Sequence, residues 1–190
     1  MVSKEMLALG KKSSVIREIF EYAKVRRAEI GAENVFDFSL GNPSIPAPAI
    51  VEETMQDLLA NTDPVLLHGY TSAQGDFSVR KTVADYTNRR FGTSLTADHI
   101  YMTCGAAASL TISIHAIAVA GEEFITFAPY FTEYKVFVEG ADCTLTALPS
   151  DKNLLPDFEA LDRAISPRTR GVIINSPNNP SGTVYTEETI

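Results

Sequence analysis

Apolar residues at Val15, Ile16, Ile19, Phe20 and Ala23 recur at the three- and four-residue intervals that lay one stripe along a helix. They predict a first helix over residues 14–30, with Ser13 or Ser14 able to cap its start and Gly31 able to end it. Residues 35–40 read as a short extended piece closed by Gly41, Asn42 and Pro43. The segment IPAPAI that follows reads as a loop, because its two prolines flank a single residue. Ile50, Val51, Met55, Leu58 and Leu59 mark the apolar side of a second helix over 48–60. HGYTSAQG, residues 68–75, is rich in turn formers, and a third helix over 76–90 ends at Gly92.

Beyond that point the pattern changes. Short apolar runs at 99–103, 124–127, 143–148 and 171–175 read as strands. Between them, 106–120, 131–139 and 156–165 read as helices, and Thr186 can cap a further one starting at Glu187. Strands alternating with helices predict an α/β fold: a mostly parallel sheet with helices on both faces, preceded by an N-terminal helical arm. GVIIN is continuously apolar, as expected of a strand buried on both sides. Residues 105–121 are the longest uncharged stretch. They fall slightly short of a membrane span and are diluted by Ser109, Thr111, Ser113 and His115, so a buried helix of a soluble protein is expected, with no membrane partner.

Bulk properties narrow the function classes. The chain has 190 residues, of which 45% are hydrophobic and 21% charged, enough for one globular domain or a domain with an arm. A net charge of −8 argues against a nucleic-acid partner, because a phosphate backbone demands a basic surface. Cys104 and Cys143 make no disulfide framework and read as two reduced, buried thiols, consistent with a cytoplasmic protein. The charged N-terminus lacks the apolar core of a signal peptide. His68, His99 and His115 are scattered, so no metal centre is predicted.

In a parallel α/β sheet, ligands bind outside the carboxyl ends of the strands. Four places draw attention on that ground. After the expected strand at 99–103, Gly105, Ala106 and Ala107 open a helix with small residues, so an anion can approach its free N–H groups; tight packing of helix on strand is the competing reading. Pro129, Tyr130 and Phe131 follow the next strand, where an aromatic ring can stack on a planar ligand or simply fill the core. SPNNPSG, residues 176–182, carries two prolines, and such rigidity suits a loop that aims an amide at a ligand more than a plain turn. Gly41 and the Tyr70–Gly75 region lie in glycine-containing loops ahead of the main sheet and otherwise read as turns.

Taken in order, SPNNPSG, TCGAAASL, PYFTEY and the stretch containing Tyr70, Gly75, Val79, Arg80 and Tyr86 resemble the class I/II aminotransferases. These belong to the fold type I enzymes that depend on pyridoxal 5'-phosphate (PLP). The resemblance covers residues 35–190 and implies a three-layer PLP-dependent-transferase-like large domain, here partial. Residues 46–190 would lie in that domain, and residues 1–45 would form a helix and arm belonging to the small domain. It further implies that Gly105, Ala106 and Ala107 form the phosphate-binding turn, that Phe131 stacks on the pyridine ring, and that Asn179 hydrogen-bonds its phenolic oxygen. Gly41 would lie near the substrate carboxylate. Tyr70 would reach the phosphate of a neighbouring subunit, giving a homodimer with shared active sites. Tyr134 is expected to be structural.

Two departures qualify these expectations. Ala107 stands where many relatives carry Ser or Thr, so a hydroxyl contact to phosphate is lost. The family's later motifs, among them the Schiff-base lysine and the arginine for the substrate carboxylate, are absent from the 190 residues, so none of these residues is assigned as catalytic. The implied activity is amino-group transfer between an amino acid and a 2-oxo acid. The 190-residue chain by itself is expected not to transaminate, to expose unpaired strand edges, and to be a piece of a longer enzyme. Other fold type I chemistry, such as a carbon–sulfur lyase, and a non-catalytic PLP- or partner-binding fragment are the alternatives. No GxGxxG follows a strand and no basic helix-turn-helix is present, which disfavours a dinucleotide-binding domain and a transcription regulator.

Overall fold

A computed structural model describes residue 2 and residues 4–11, 15–41 and 45–190. Ser13, Ser14, Asn42 and Pro43, invoked above as a cap and a turn, lie outside the described residues. The chain divides into two units, residues 1–69 and residues 70–190.

The first unit is helical: α1 (Lys4–Lys11), α2 (Val15–Ile30), α3 (Ala49–Asn61) and the short α4 (Pro64–Leu67), with a 3₁₀ turn at Ala32–Asn34. The spacing of apolar residues anticipated α2 and α3 to within a residue; α1 and α4 were not expected. The extended piece at 35–40 pairs with no strand among the described residues. It is held instead by Asp37, which accepts from Arg27 at 3.2 Å and from the Ser39 hydroxyl at 2.6 Å. Those contacts, the Ser39 hydroxyl first, hold the Asp37 carboxyl below the usual carboxylate range.

The second unit holds α5 (Phe77–Phe91), α6 (Ala106–Ile117), β1 (Glu123–Ala128), α7 (Glu133–Glu139), β2 (Thr144–Pro149), α8 (Phe158–Ala164) and β3 (Thr169–Ile173). The sheet order is β2-β1-β3, and both pairings are parallel. β1 supplies the reason for three layers, since its successive side chains point to opposite faces. Phe124 packs with Ile114 of α6 and with Val138 and Phe137 of α7, while Ile125 and Phe127 pack with Leu148, Ala160 and Leu161 on the α8 side. Thr126 is the polar exception in this buried strand, and its hydroxyl donates to the Ile173 carbonyl at 3.0 Å.

The amino edge of the sheet is pinned by charge. Glu123 accepts from Ser166 Oγ at 2.7 Å, Thr169 Oγ1 at 3.1 Å and Thr146 Oγ1 at 3.3 Å, so one carboxylate spans all three strands. A bulge at Arg170 shifts the β1–β3 register between Glu123 and Phe124. Arg170 Nε donates to the Ile117 carbonyl at 2.5 Å and leaves the Glu122 carboxylate as a charge contact at 3.1 Å. That bond fixes the carboxyl end of α6 beside the start of β3.

Four expectations need correction. Residues 99–103 are not a strand: a 3₁₀ turn occupies Ala97–His99, and the residues after it join no ladder among the described residues, their one backbone bond to another segment being Met102 N to Gln74 O. The uncharged helix is not buried all round. Ile114 is its buried residue, whereas Ile112 and Ile117 are about half exposed (54% and 49%). β3 is an outer strand of this sheet, and Val172 and Ile174 are exposed on one side, so an apolar run did not mean burial on both faces. Cys104 is exposed at the turn before α6, because no strand forms there to bury it; Cys143 is buried as expected. Residues 187–189 form a turn after Thr186.

Candidate functional site

The carboxyl end of α6 meets the start of β3 through Arg170, and a few residues later the chain enters β1. Twelve helical residues rise ~18 Å, which carries the amino end of α6 about that far from this joint. The exits of β1 and β3 lie together at the carboxyl edge of the sheet, since the strands are parallel.

Gly105 caps α6 with φ 90° and ψ 171°, a backbone conformation that an L side chain adopts only under strain. Nothing lies within 4 Å of the position a β-carbon would take there. No side chain caps the helix, and the first intrahelical bond runs from Ser109 N to Gly105 O at 3.2 Å. The N–H groups of Ala106, Ala107 and Ala108 are therefore free at an exposed, electropositive helix end. Thr103 ties the approach down: its hydroxyl donates to Gly105 O at 3.1 Å and lies 2.5 Å from Ser109 Oγ.

Phe131 is half-buried and meets Tyr134 edge to face, with ring centroids 5.6 Å apart; Tyr130 stacks on the same Tyr134 at 6.4 Å. Tyr134 is buried, as its expected structural role requires, and burial pushes its hydroxyl pKa up, followed by the nearby Tyr185. The aromatic segment thus rests on a protonated, apolar support.

The SPNNPSG loop is cross-braced. Asn178 Nδ2 donates to Pro129 O at 3.0 Å and lies 2.8 Å from Ser181 Oγ. Asn178 N donates to Thr183 O, and Ser176 Oγ accepts from Tyr185 N, both at 2.8 Å. Asn179 N donates to Asn175 Oδ1 at 2.8 Å, which leaves the exposed Asn179 carboxamide free of hydrogen bonds to other described residues. Ser150 Oγ donates to Ala128 O at 2.7 Å and binds the exit of β2 to that of β1.

The Pro129 and Asn178 loops are joined directly. No hydrogen bond among the described residues connects the α6 end to them. Tyr70 is fully exposed and opens the second unit; Gly41 lies in the first unit. Sequence reasoning missed Asn178 and Ser150, which tie the strand exits together, and Thr103, which braces the turn before α6. Asn178 and Ser150 bond groups 49 and 22 residues away, which no local pattern records. Two shallow hollows, of about 300 and 190 Å³, lie elsewhere, one against α5 and one against the exposed side of β3, and neither contains a candidate site residue.

The chain presents a parallel α/β sheet, an uncapped helix end at Gly105 and two mutually braced loops after β1 and β3. The chain belongs to the family of class I and II aminotransferases, which it matches over residues 32–190. An aminotransferase structure from Eubacterium rectale is 56% identical, with a TM-score of 0.95, over 100% of this chain and 48% of that one. Aspartate aminotransferase from Thermus thermophilus, solved with maleate, is 28% identical with a TM-score of 0.85 over the same shares. A probable aspartate/prephenate aminotransferase of Thermus aquaticus is 33% identical over 79% of this chain and 39% of its own length. The chain thus spans less than half the length of the relatives it matches.

Proposed function

We propose that the protein of which this chain forms part is a PLP-dependent aminotransferase that moves an amino group between an amino acid and a 2-oxo acid. The observation that carries the reading is the uncapped amino end of α6, with open space above Gly105, in a chain whose Asn179 loop is held rigid. The donor set fits the cofactor. Backbone N–H groups of Ala106 and Ala107 suit a phosphate even without a hydroxyl at position 107, the Phe131 ring suits one face of a pyridine, and the free Asn179 amide suits its phenolic oxygen. When bound, the cofactor supplies an electron sink for the amino acid's α-carbon. This chain's residues bind it, orient it and tune its charge.

The finer assignments belong to the same reading. Gly41 sits near the substrate carboxylate, residues 1–45 form part of a small domain, and Tyr70, fully exposed, reaches into the partner of a homodimer. Two free thiols suit a cytoplasmic enzyme. The relatives' names make aspartate and glutamate the first donors to try, with 2-oxo acids as acceptors. The test is amino-group transfer by the full encoded protein supplied with PLP. Turnover with a dicarboxylic donor is expected; absence of transfer together with absence of a PLP absorbance band would overturn the reading.

A further inference from the structure

Arg80, in the first turn of α5, is 5% exposed. Burying a guanidinium is costly unless its N–H groups find acceptors. Those it finds are mostly backbone: Nε donates to Gly75 O at 3.1 Å and an Nη to Ala97 O at 2.6 Å. The nearest carboxylate, the largely exposed Asp98, is 3.8 Å away, and Phe77 covers the guanidinium with its ring centroid at 5.7 Å. The rigid fork of an arginine thus spans two segments that α5 separates in sequence, one carrying Tyr70 and one leading into α6.

The same two segments touch again further along. Met102 N donates to Gln74 O at 2.9 Å, and Gly75 lies so close to Met102 that an added β-carbon would stand 2.6 Å from its Cγ. One residue on, Thr103 bonds Gly105 and Ser109. Contacts therefore run without a break from Arg80 through Gly75 and Met102 to the amino end of α6.

We infer that Arg80 is a positioning residue for the anion cradle: its fork fixes the path of residues 97–103 and so aims the free N–H groups of Ala106 and Ala107. The inference rests on the cofactor reading above and deepens it.

The test uses the full encoded protein freed of cofactor. Affinities for PLP, for pyridoxal, which lacks the phosphate, and for inorganic phosphate are measured in wild type, Arg80→Met, Arg80→Lys and Gly75→Ala, alongside amide hydrogen exchange. All three variants should lose affinity for PLP and phosphate by about tenfold while pyridoxal affinity stays within about twofold. Exchange should rise at residues 102–108 and stay unchanged in β1, β2 and β3. Lysine should not rescue, since it keeps the charge but not the fork. Lys81→Ala, next in sequence and paired with Asp85 at the surface, should match wild type.

PLP and pyridoxal affinities falling together, neither falling, or exchange rising throughout the sheet would overturn the inference. Should Arg80→Met fail to fold, Gly75→Ala, which strains the same joint from its other side, carries the same decision. If wild type does not distinguish PLP from pyridoxal, the cofactor reading fails. The exchange result then stands alone: a rise confined to 102–108 sustains the role of Arg80, and no rise ends it.

Discussion

Gly105 is the position where a single atom should matter most. With φ at 90° and open space around it, an added methyl group meets no neighbour, so the effect of Gly105→Ala is backbone strain of ~1–3 kcal/mol. A lowered melting temperature and weakened PLP binding are expected; unchanged values in both would show that the turn tolerates a side chain. Glu123 gives a prediction of another kind. The Ser166 hydroxyl, above all, holds its carboxyl below the usual glutamate range. Desolvation opposes this, and the hydroxyls of Thr169 and Thr146 and the nearby Arg168 charge add to the lowering. Because the folded value is depressed, the stabilisation is fully present above the unfolded glutamate value near 4.5 and is lost as pH falls through the lower folded value. Glu123→Gln should therefore melt lower than wild type at neutral pH, and the gap should close in acid. A gap that persists undiminished in strong acid would refute this account. Of these residues, Gly105 was legible in sequence, since a glycine before small residues at the start of a helix has a physical reason. Glu123 was not, because its partners lie 23 to 46 residues away.

The elements with an internal period were the ones that sequence could place. α2 and α3 follow their apolar spacing, and β1, β2 and β3 fall within two residues of their expected starts. Residues 99–103 and the outer side of β3 went wrong for one shared reason: a strand is defined by its partner and a buried face by its cover, and neither is written in the segment itself. α8 shows how slight a short element's support can be. It has seven residues, and Asp157 caps it by accepting from Ala160 N at 2.9 Å. Asp157→Ala should cost ~1 kcal/mol, while Asp157→Asn, which keeps an acceptor, should cost little. Denaturant melts of the two variants decide it, and equal losses would remove the cap from the account.

For the molecule as a whole, the ordered set of loops was legible because each loop carries its chemistry locally. How the loops are braced against one another was not. The described residues leave much apolar surface uncovered, including Val172 and Ile174 beside β3, and no strand pairs with the outer side of β3 among them. The 190 residues expressed alone should therefore self-associate, as open strand edges and apolar patches do. Sedimentation showing a stable monomer would contradict this. The bulge at Arg170 has one further consequence. It absorbs a mismatch of one residue, so Thr169 stays with Glu123 while Gly171, Val172 and Ile173 keep their proper faces. Deleting Arg170 would place Thr169 directly before Gly171, giving an unbroken register of Glu123 with Thr169 and Phe124 with Gly171, and would remove the bond that Arg170 makes to the Ile117 carbonyl. The shortened chain should therefore keep the acid profile set by Glu123 and show its injury at the carboxyl end of α6, as faster amide exchange there.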